Sequence, residues 1–121
     1  MSAEIISNYN GIVTVKVSDV LNYPEMLAVQ QALINILGQL GGANVLVLAE
    51  NFQGWSNEQA WNDVSYMSKT DPFINKMAIV GEKQWQDLAL MFTAQGLREF
   101  PIEYFSPDEL CKAEEWLATI Y

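Results

Sequence analysis

Two segments of the chain repeat one pattern, in which an apolar strand leads to a tryptophan and then to a helix. The first strand, residues 44–49, ends in Val-Leu-Val-Leu-Ala and leads through residues 50–54 to Trp55; the second, residues 76–80, ends in Met-Ala-Ile-Val and leads to Trp85. Strands that are apolar on both faces belong inside a parallel sheet. The repeat therefore predicts consecutive β-α units, with both tryptophans at the sheet edge where open α/β folds usually hold ligands.

A hairpin and a long helix are predicted before this repeat. Asn10 and Gly11 lie between two β-branched runs, which is the strongest short-range signal for a β-hairpin. The second arm, residues 12–17, is rich in valine, so we expect it inside the sheet and the first arm at the edge. Asn22 and Glu25 have the spacing of a capping box, and Gly41 is suited to end the helix that begins there.

Three further helices follow in the predicted order. One begins at Ser56, one carries Trp85 on its inner face, and one begins at Ser106 after a strand that Pro101 places at a sheet edge. The order β-β-α-β-α-β-α-β-α predicts a single α/β domain over residues 1–121, with a mostly parallel sheet behind the hairpin. Right-handed crossovers between neighbouring parallel strands put their helices on one face, so the opposite face needs a further cover.

Composition argues against several classes of protein. The chain has 15 Asp and Glu against 6 scattered Lys and Arg, a net charge of −9, so we expect no binding to nucleic acid. The N-terminus lacks the features of a signal peptide, and the longest apolar stretch is too short to span a bilayer. We therefore expect a cytoplasmic protein without a membrane span. The lone Cys111 has no intrachain partner, and we expect it to be a small apolar core residue.

The residues that usually carry catalysis are missing. With no histidine, a Ser-His-Asp or Cys-His arrangement cannot form, and a single cysteine with carboxylates is a poor ligand set for zinc or copper. No glycine-rich phosphate-binding loop is present. Glu50 and Glu82 would lie near one rim of the sheet, where paired carboxylates could do acid–base work. We favour the interpretation that both are solvated loop charges. From the missing catalytic and ligand residues we expect that the protein is not an enzyme and holds neither a metal nor a cofactor.

Aromatic side chains form the more informative set. Six of them lie at the predicted carboxyl ends of strands or on the helices that start there: Phe52, Trp55, Trp61, Tyr66, Trp85 and Phe105. They either close the end of the core or line a concave apolar pocket. Leu27, Ile34 and Leu37 widen the apolar stripe of the first helix beyond what one sheet face needs. That extra width fits a pocket lid or the face of a homodimer, and we expect a homodimer.

Several ordered segments resemble the SpoIIAA-like family of small bacterial proteins: residues 51–55, 60–63, 77–85, 103–105 and 113–117. The resemblance implies a STAS-type fold, in agreement with the predicted order of elements. It also implies kinship of fold with the lipid-carrying CRAL-TRIO domains, and so an apolar ligand. The founding anti-anti-sigma factors of this fold are switched by phosphorylation of a serine in an Asp-Ser-Ser-Gly-type motif. Residues 51–56 here lack that motif, and Ser56 is either a helix N-cap or a possible phosphosite.

Three functions follow from these patterns. The first is a non-catalytic binding module that takes an apolar small molecule or lipid at the aromatic rim and under the first helix. The second is a STAS-type regulatory protein that acts by protein–protein interaction, with Ser56 as a possible switch. The third is a small acid–base enzyme that uses Glu50 and Glu82. The aromatic excess without a catalytic set favours the first.

Overall fold

The computed structural model describes residues 3–9, 11–55, 73–87, 90 and 100–118, without the side chains of Tyr9 and Trp55. Five strands form one sheet in this part of the chain: β1 (Ala3–Tyr9), β2 (Ile12–Leu21), β3 (Ala43–Trp55), β4 (Ile74–Val80) and β5 (Ile102–Phe105). The helices with described bounds are α1 (Tyr23–Leu40) and α2 (Leu110–Ala118). The predicted helix at Ser56, and most of the one after Trp85, lie outside the described residues. No described helix is long and apolar enough to cross a membrane.

The sheet has the predicted topology. Its strand order is β1-β2-β3-β4-β5, with β1 antiparallel to β2 and the other neighbours parallel. Tyr9 pairs with Ile12, so the connection between β1 and β2 has two residues, and Gly11 has the positive φ of 75° that a tight hairpin turn requires. The hairpin, its edge position and the edge position of β5 are therefore confirmed.

Each face of the sheet carries its own core. On one face, called the α1 face, Val13, Val15 and Val45 pack with Leu33 and Leu37. On the opposite face, called the α2 face, the buried residues come from β3, β4 and α2: Leu46, Ala78, Val80, Ala113 and Leu117. Because α2 follows β5, it does not connect any two of the described strands and is not bound by the crossover rule. It supplies the cover that the second face was predicted to need.

The ends of α1 follow the predicted signals. The side chain of Asn22 accepts a hydrogen bond from the backbone N–H of Glu25 at 3.3 Å. At the other end Gly41 has a left-handed backbone, with φ 74°, and its N–H donates to the carbonyl of Leu37 at 3.0 Å. Leu37 itself is fully buried in the core of the α1 face. The expectation that it widens the apolar stripe of α1 beyond what one sheet face needs is therefore wrong.

The start of α2 follows its signal, whereas the expectation for Cys111 is wrong. The helix continues from a 3₁₀ turn, Pro107–Glu109. The Glu109 carboxylate accepts hydrogen bonds from the N–H and the hydroxyl of Ser106, which lower the pKa of Glu109. Cys111 is exposed. Ala113 and Leu117 define the inner side of the helix, and at 100° per residue Cys111 falls on the outer side.

Two polar side chains of the sheet hold the C-terminal end of α2. Asn44 Nδ2 donates to the carbonyl of Leu117 at 2.6 Å, and Lys76 Nζ donates to the carbonyl of Trp116 at 3.0 Å. Lys76 is only 7% exposed, and its ammonium lies 5.2 Å from the centroid of the Trp116 ring. The last carbonyl groups of a helix lack partners within the helix and carry partial negative charge. These two donors therefore hold the C-terminal end of α2 in one position against the sheet.

Strands β2 and β3 extend beyond the rest of the sheet. The pairing of β3 with β4 ends at Leu48 and Val80, whereas β2 and β3 remain paired as far as Leu21 and Trp55. Residues 18–21 and 50–55 form this β2–β3 extension. The sequence pattern predicted that this strand ends at Ala49, which is wrong. Residues 50–55 continue β3 because β2 continues beside them.

Candidate functional site

A β-bulge at Asn51 decides which face of the sheet Phe52 points to. Ser18 pairs with Glu50 and Asp19 pairs with Phe52, so Asn51 is an extra residue in β3. It has a left-handed backbone with φ 50°, which asparagine tolerates better than most residues. Without the bulge, strict alternation would put Phe52 on the α2 face. With it, Phe52 joins the core of the α1 face.

This geometry predicts different effects on stability for two substitutions of Asn51. We expect Asn51→Val to lower the free energy of unfolding by about 1–2 kcal/mol, because a β-branched residue pays the full cost of the left-handed conformation. Asn51→Gly should be neutral or slightly stabilising, since glycine adopts positive φ freely. Urea denaturation of both proteins measures the difference. Equal stability of the two variants would contradict a bulge at this position.

Phe52 and Trp85 meet edge to face at the carboxyl end of the central strands. Phe52 is 8% exposed and Trp85 is half-buried at the end of the 3₁₀ turn Lys83–Trp85. Their ring centroids are 5.2 Å apart and the ring planes cross at 76°. Gly54 lies beneath the indole: a Cβ there would be 3.5 Å from Trp85 Cη2, and its φ of 108° also favours glycine. Phe52, Gly54 and Trp85 are called the aromatic site below.

The turn that carries Trp85 is held by Tyr104 of β5. The Tyr104 hydroxyl donates to the carbonyl of Glu82 at 2.8 Å, and the backbone N–H of Trp85 donates to the same oxygen at 3.1 Å. A Cβ on Gly81 would lie 2.6 Å from the Tyr104 hydroxyl oxygen, so that hydroxyl occupies space which only glycine leaves open. Burial, and then the nearby charge of Glu82, raise the pKa of Tyr104, which keeps the phenol protonated as a donor.

The other residues predicted for the rim separate into three groups. Phe105 packs on the α2 face, 6.2 Å from the ring centroid of Trp116, and so does not join the aromatic site. Leu27 is exposed and Ile34 is half-buried, both on α1. Only the backbone of Trp55 is described. The other predicted site residues lie outside the described residues: Ser56, Trp61 and Tyr66.

The two carboxylates weighed for acid–base work are both exposed. Glu50 forms an ion pair with Lys16 at 3.4 Å, and Glu82 accepts a hydrogen bond from Gln84 Nε2 at 3.3 Å. Exposed pairs of this kind are screened by solvent and contribute little. Across the described ranges, no group of three or more His, Cys, Asp and Glu side chains is arranged to hold a metal ion.

Sequence reasoning missed three residues that shape the aromatic site. Asn51 turns Phe52 inward, Tyr104 holds the turn before Trp85, and Gly81 leaves room for the Tyr104 hydroxyl. A sequence signal existed only for the bulge, because Asn51 and Gly54 are residue types that accept positive φ. The contact between Tyr104 and the turn depends on the pairing of β4 with β5, which a local pattern does not specify.

The parallel sheet with an antiparallel hairpin at its edge, covered by helices on both faces, is an α/β architecture of the SpoIIAA-like kind. The model of the SpoIIAA-like family matches residues 12–118, and the chain belongs to that family. It is similar to the crystal structure of an uncharacterized protein of the DUF3478 family, with a SpoIIAA-like fold, from Shewanella loihica PV-4. The two share 18% identity and a TM-score of 0.73, over 96% of this chain and 92% of that one, a likeness that shows the fold. No curated protein matches the chain.

Proposed function

We propose that the protein is a non-catalytic binding module that takes a neutral apolar small molecule or lipid at the aromatic site. The observation that carries the proposal is the Phe52–Trp85 pair, with ring centroids 5.2 Å apart at the carboxyl end of the parallel strands. Ligands of open α/β sheets bind outside this end of the strands. Trp85 is half-buried rather than fully enclosed in the core.

The β2–β3 extension gives the aromatic site a wall. Because β4 stops at Val80 while β3 continues to Trp55, the extension stands beyond the end of its neighbouring strand. Phe52 and Gly54 lie on this wall, and Trp85 packs against both. Small-molecule sites are concave and mostly apolar, and a wall of this kind beside a strand end supplies one side of such a cleft.

Charge favours a neutral ligand over an anionic one. Glu82 and Lys83, both exposed in the turn after β4, offset each other, whereas the whole chain carries a net charge of −9. An anionic head group would meet this overall like charge, whereas a neutral lipophile would lose only water from apolar surface. The proposed ligand class is therefore a neutral lipophile rather than a phosphate ester.

A titration with the neutral dye Nile red tests the site. We expect Trp85→Ala to weaken binding about tenfold, equivalent to about 1.4 kcal/mol, because the ligand loses contact with the indole. Trp116→Ala is the matched control, since Trp116 is also half-buried but lies with Phe105 on the α2 face. The control should bind Nile red as tightly as the wild type.

Three results of this titration would count against the proposal. A folded Trp85→Ala protein that binds Nile red with unchanged affinity would remove the aromatic site from binding. An equal loss in both tryptophan variants would mean that the dye reports general loosening of the fold. If the wild type binds no lipophilic probe, the small-molecule proposal is wrong, and interaction with a protein partner becomes the favoured alternative.

A further inference from the structure

We infer that the hydroxyl of Tyr104 sets the position of Trp85 through the carbonyl group of Glu82. Tyr104 lies on β5, at the edge of the sheet, yet it reaches the turn that follows the neighbouring strand β4. The inference rests on the proposed function only in that Trp85 belongs to the proposed ligand site. It makes Tyr104 a positioning residue for that site rather than a ligand contact.

One oxygen atom connects the two aromatic residues. The carbonyl oxygen of Glu82 accepts the Tyr104 hydroxyl at 2.8 Å and the backbone N–H of Trp85 at 3.1 Å. A carbonyl oxygen has two lone pairs, so both bonds form together. The hydroxyl therefore restrains the peptide group that starts the 3₁₀ turn of Trp85, and that turn aims the indole at Phe52 and Gly54.

The backbone of β5 also holds the turn, beside the Tyr104 side chain. The N–H of Gly81 donates to the carbonyl of Phe105 at 3.0 Å, so β5 binds the turn through both backbone and side chain. The missing Cβ of Gly81 leaves the space in which the Tyr104 hydroxyl lies, 2.6 Å from where that carbon would be. A Cβ on Gly81 would also lie 3.1 Å from the Ala49 Cβ of β3, so the space left by the missing methyl group is bounded by both β3 and Tyr104.

The test is an NMR comparison of Tyr104→Phe with the wild type, using the ring-to-ring NOEs between Phe52 and Trp85. The substitution removes only the hydroxyl and keeps the ring in the core, so the variant should fold. We expect the indole N–H signal of Trp85 to shift and its NOEs to Phe52 to weaken or vanish. The indole signal of Trp116, on the α2 face, should stay in place and serves as the internal reference. Unchanged Trp85 signals and NOEs in the folded variant would overturn the inference.

Nile red binding by the same variant separates this inference from the proposed function. If Trp85 is displaced in Tyr104→Phe and the variant binds the dye about tenfold more weakly, or by about 1.4 kcal/mol, the result supports both the positioning role of Tyr104 and the proposed function. If Trp85 is displaced but neither Tyr104→Phe nor Trp85→Ala changes the affinity, Tyr104 positions Trp85 and the proposed function is wrong. If Trp85 is not displaced while Trp85→Ala still weakens binding, the proposed function stands and the positioning role of Tyr104 is wrong.

Discussion

Replacement of Gly81 by alanine should lower the free energy of unfolding by about 2–3 kcal/mol, as expected for overpacking at a tight site. The added methyl group would lie 2.6 Å from the Tyr104 hydroxyl oxygen and 3.1 Å from the Ala49 Cβ. Either the hydroxyl leaves the carbonyl of Glu82 or the turn shifts away from β5. Both responses break hydrogen bonds that hold Trp85, so the variant should also bind Nile red more weakly. Urea denaturation followed by circular dichroism measures the stability.

A double-mutant cycle shows whether the hydroxyl is the cause. In the Tyr104→Phe background the closest atom is gone, so Gly81→Ala should cost at least about 1 kcal/mol less than in the wild type. Gly38→Ala in α1 is the control, because a Cβ there meets no atom within 4 Å. That substitution should stabilise the protein by about 0.5–1 kcal/mol through helix propensity. If Gly81→Ala lowers the free energy of unfolding as much in the Tyr104→Phe background as in the wild type, the clash with the Tyr104 hydroxyl is not the cause.

Replacement of Lys76 by alanine should lower the free energy of unfolding by about 1.5–3 kcal/mol, the range for a hydrogen bond that involves a charged group. The ammonium donates to the carbonyl of Trp116 and lies 5.2 Å from the centroid of the Trp116 ring. Its loss leaves a carbonyl group at the negative end of α2 without that donor and removes a packed aliphatic stem. The amide protons of α2 should then exchange faster with solvent, while those of α1 keep their protection.

Two further lysine variants separate charge from packing. Lys76→Met keeps an apolar stem of similar length, so we expect it to recover part of the stability that Lys76→Ala loses. Lys112→Ala is the control on the outer side of α2, where the ammonium lies 3.5 Å from Glu109 in an exposed pair. That change should stay within about 0.5 kcal/mol of the wild type. A loss for Lys112→Ala as large as for Lys76→Ala would mean that the general charge balance, rather than the buried donor, stabilises α2.

The elements that were predicted correctly are those whose signals are local. The hairpin at Gly11, the cap at Asn22 and the end of α1 at Gly41 each depend on a few adjacent residues with a defined backbone requirement. The strand order followed from apolar runs joined by helical segments, which leave few topologies open. The resemblance to the SpoIIAA-like family, which the family match confirms, is consistent with the same order.

The parts that were missed depend on neighbours distant in sequence. Residues 50–55 form a strand because β2 extends beside them, and no pattern within those six residues reveals that partner. Phe105 follows the alternation of β5 to the α2 face, so its position near a strand end did not bring it to the aromatic site. Cys111 was expected in the core from its residue type alone, although the helical spacing of Ala113 and Leu117 places it outside.

Native mass spectrometry of the protein purified from an expression host tests the central proposal most directly. We expect a retained neutral lipophilic mass on the wild type, reduced in Trp85→Ala and unchanged in Trp116→Ala. The same spectra give the stoichiometry and so test the expected homodimer. A clean mass without ligand, with no lipophilic mass taken up when lipid extract is added, would contradict ligand binding at the aromatic site. That result would favour regulation through a protein partner.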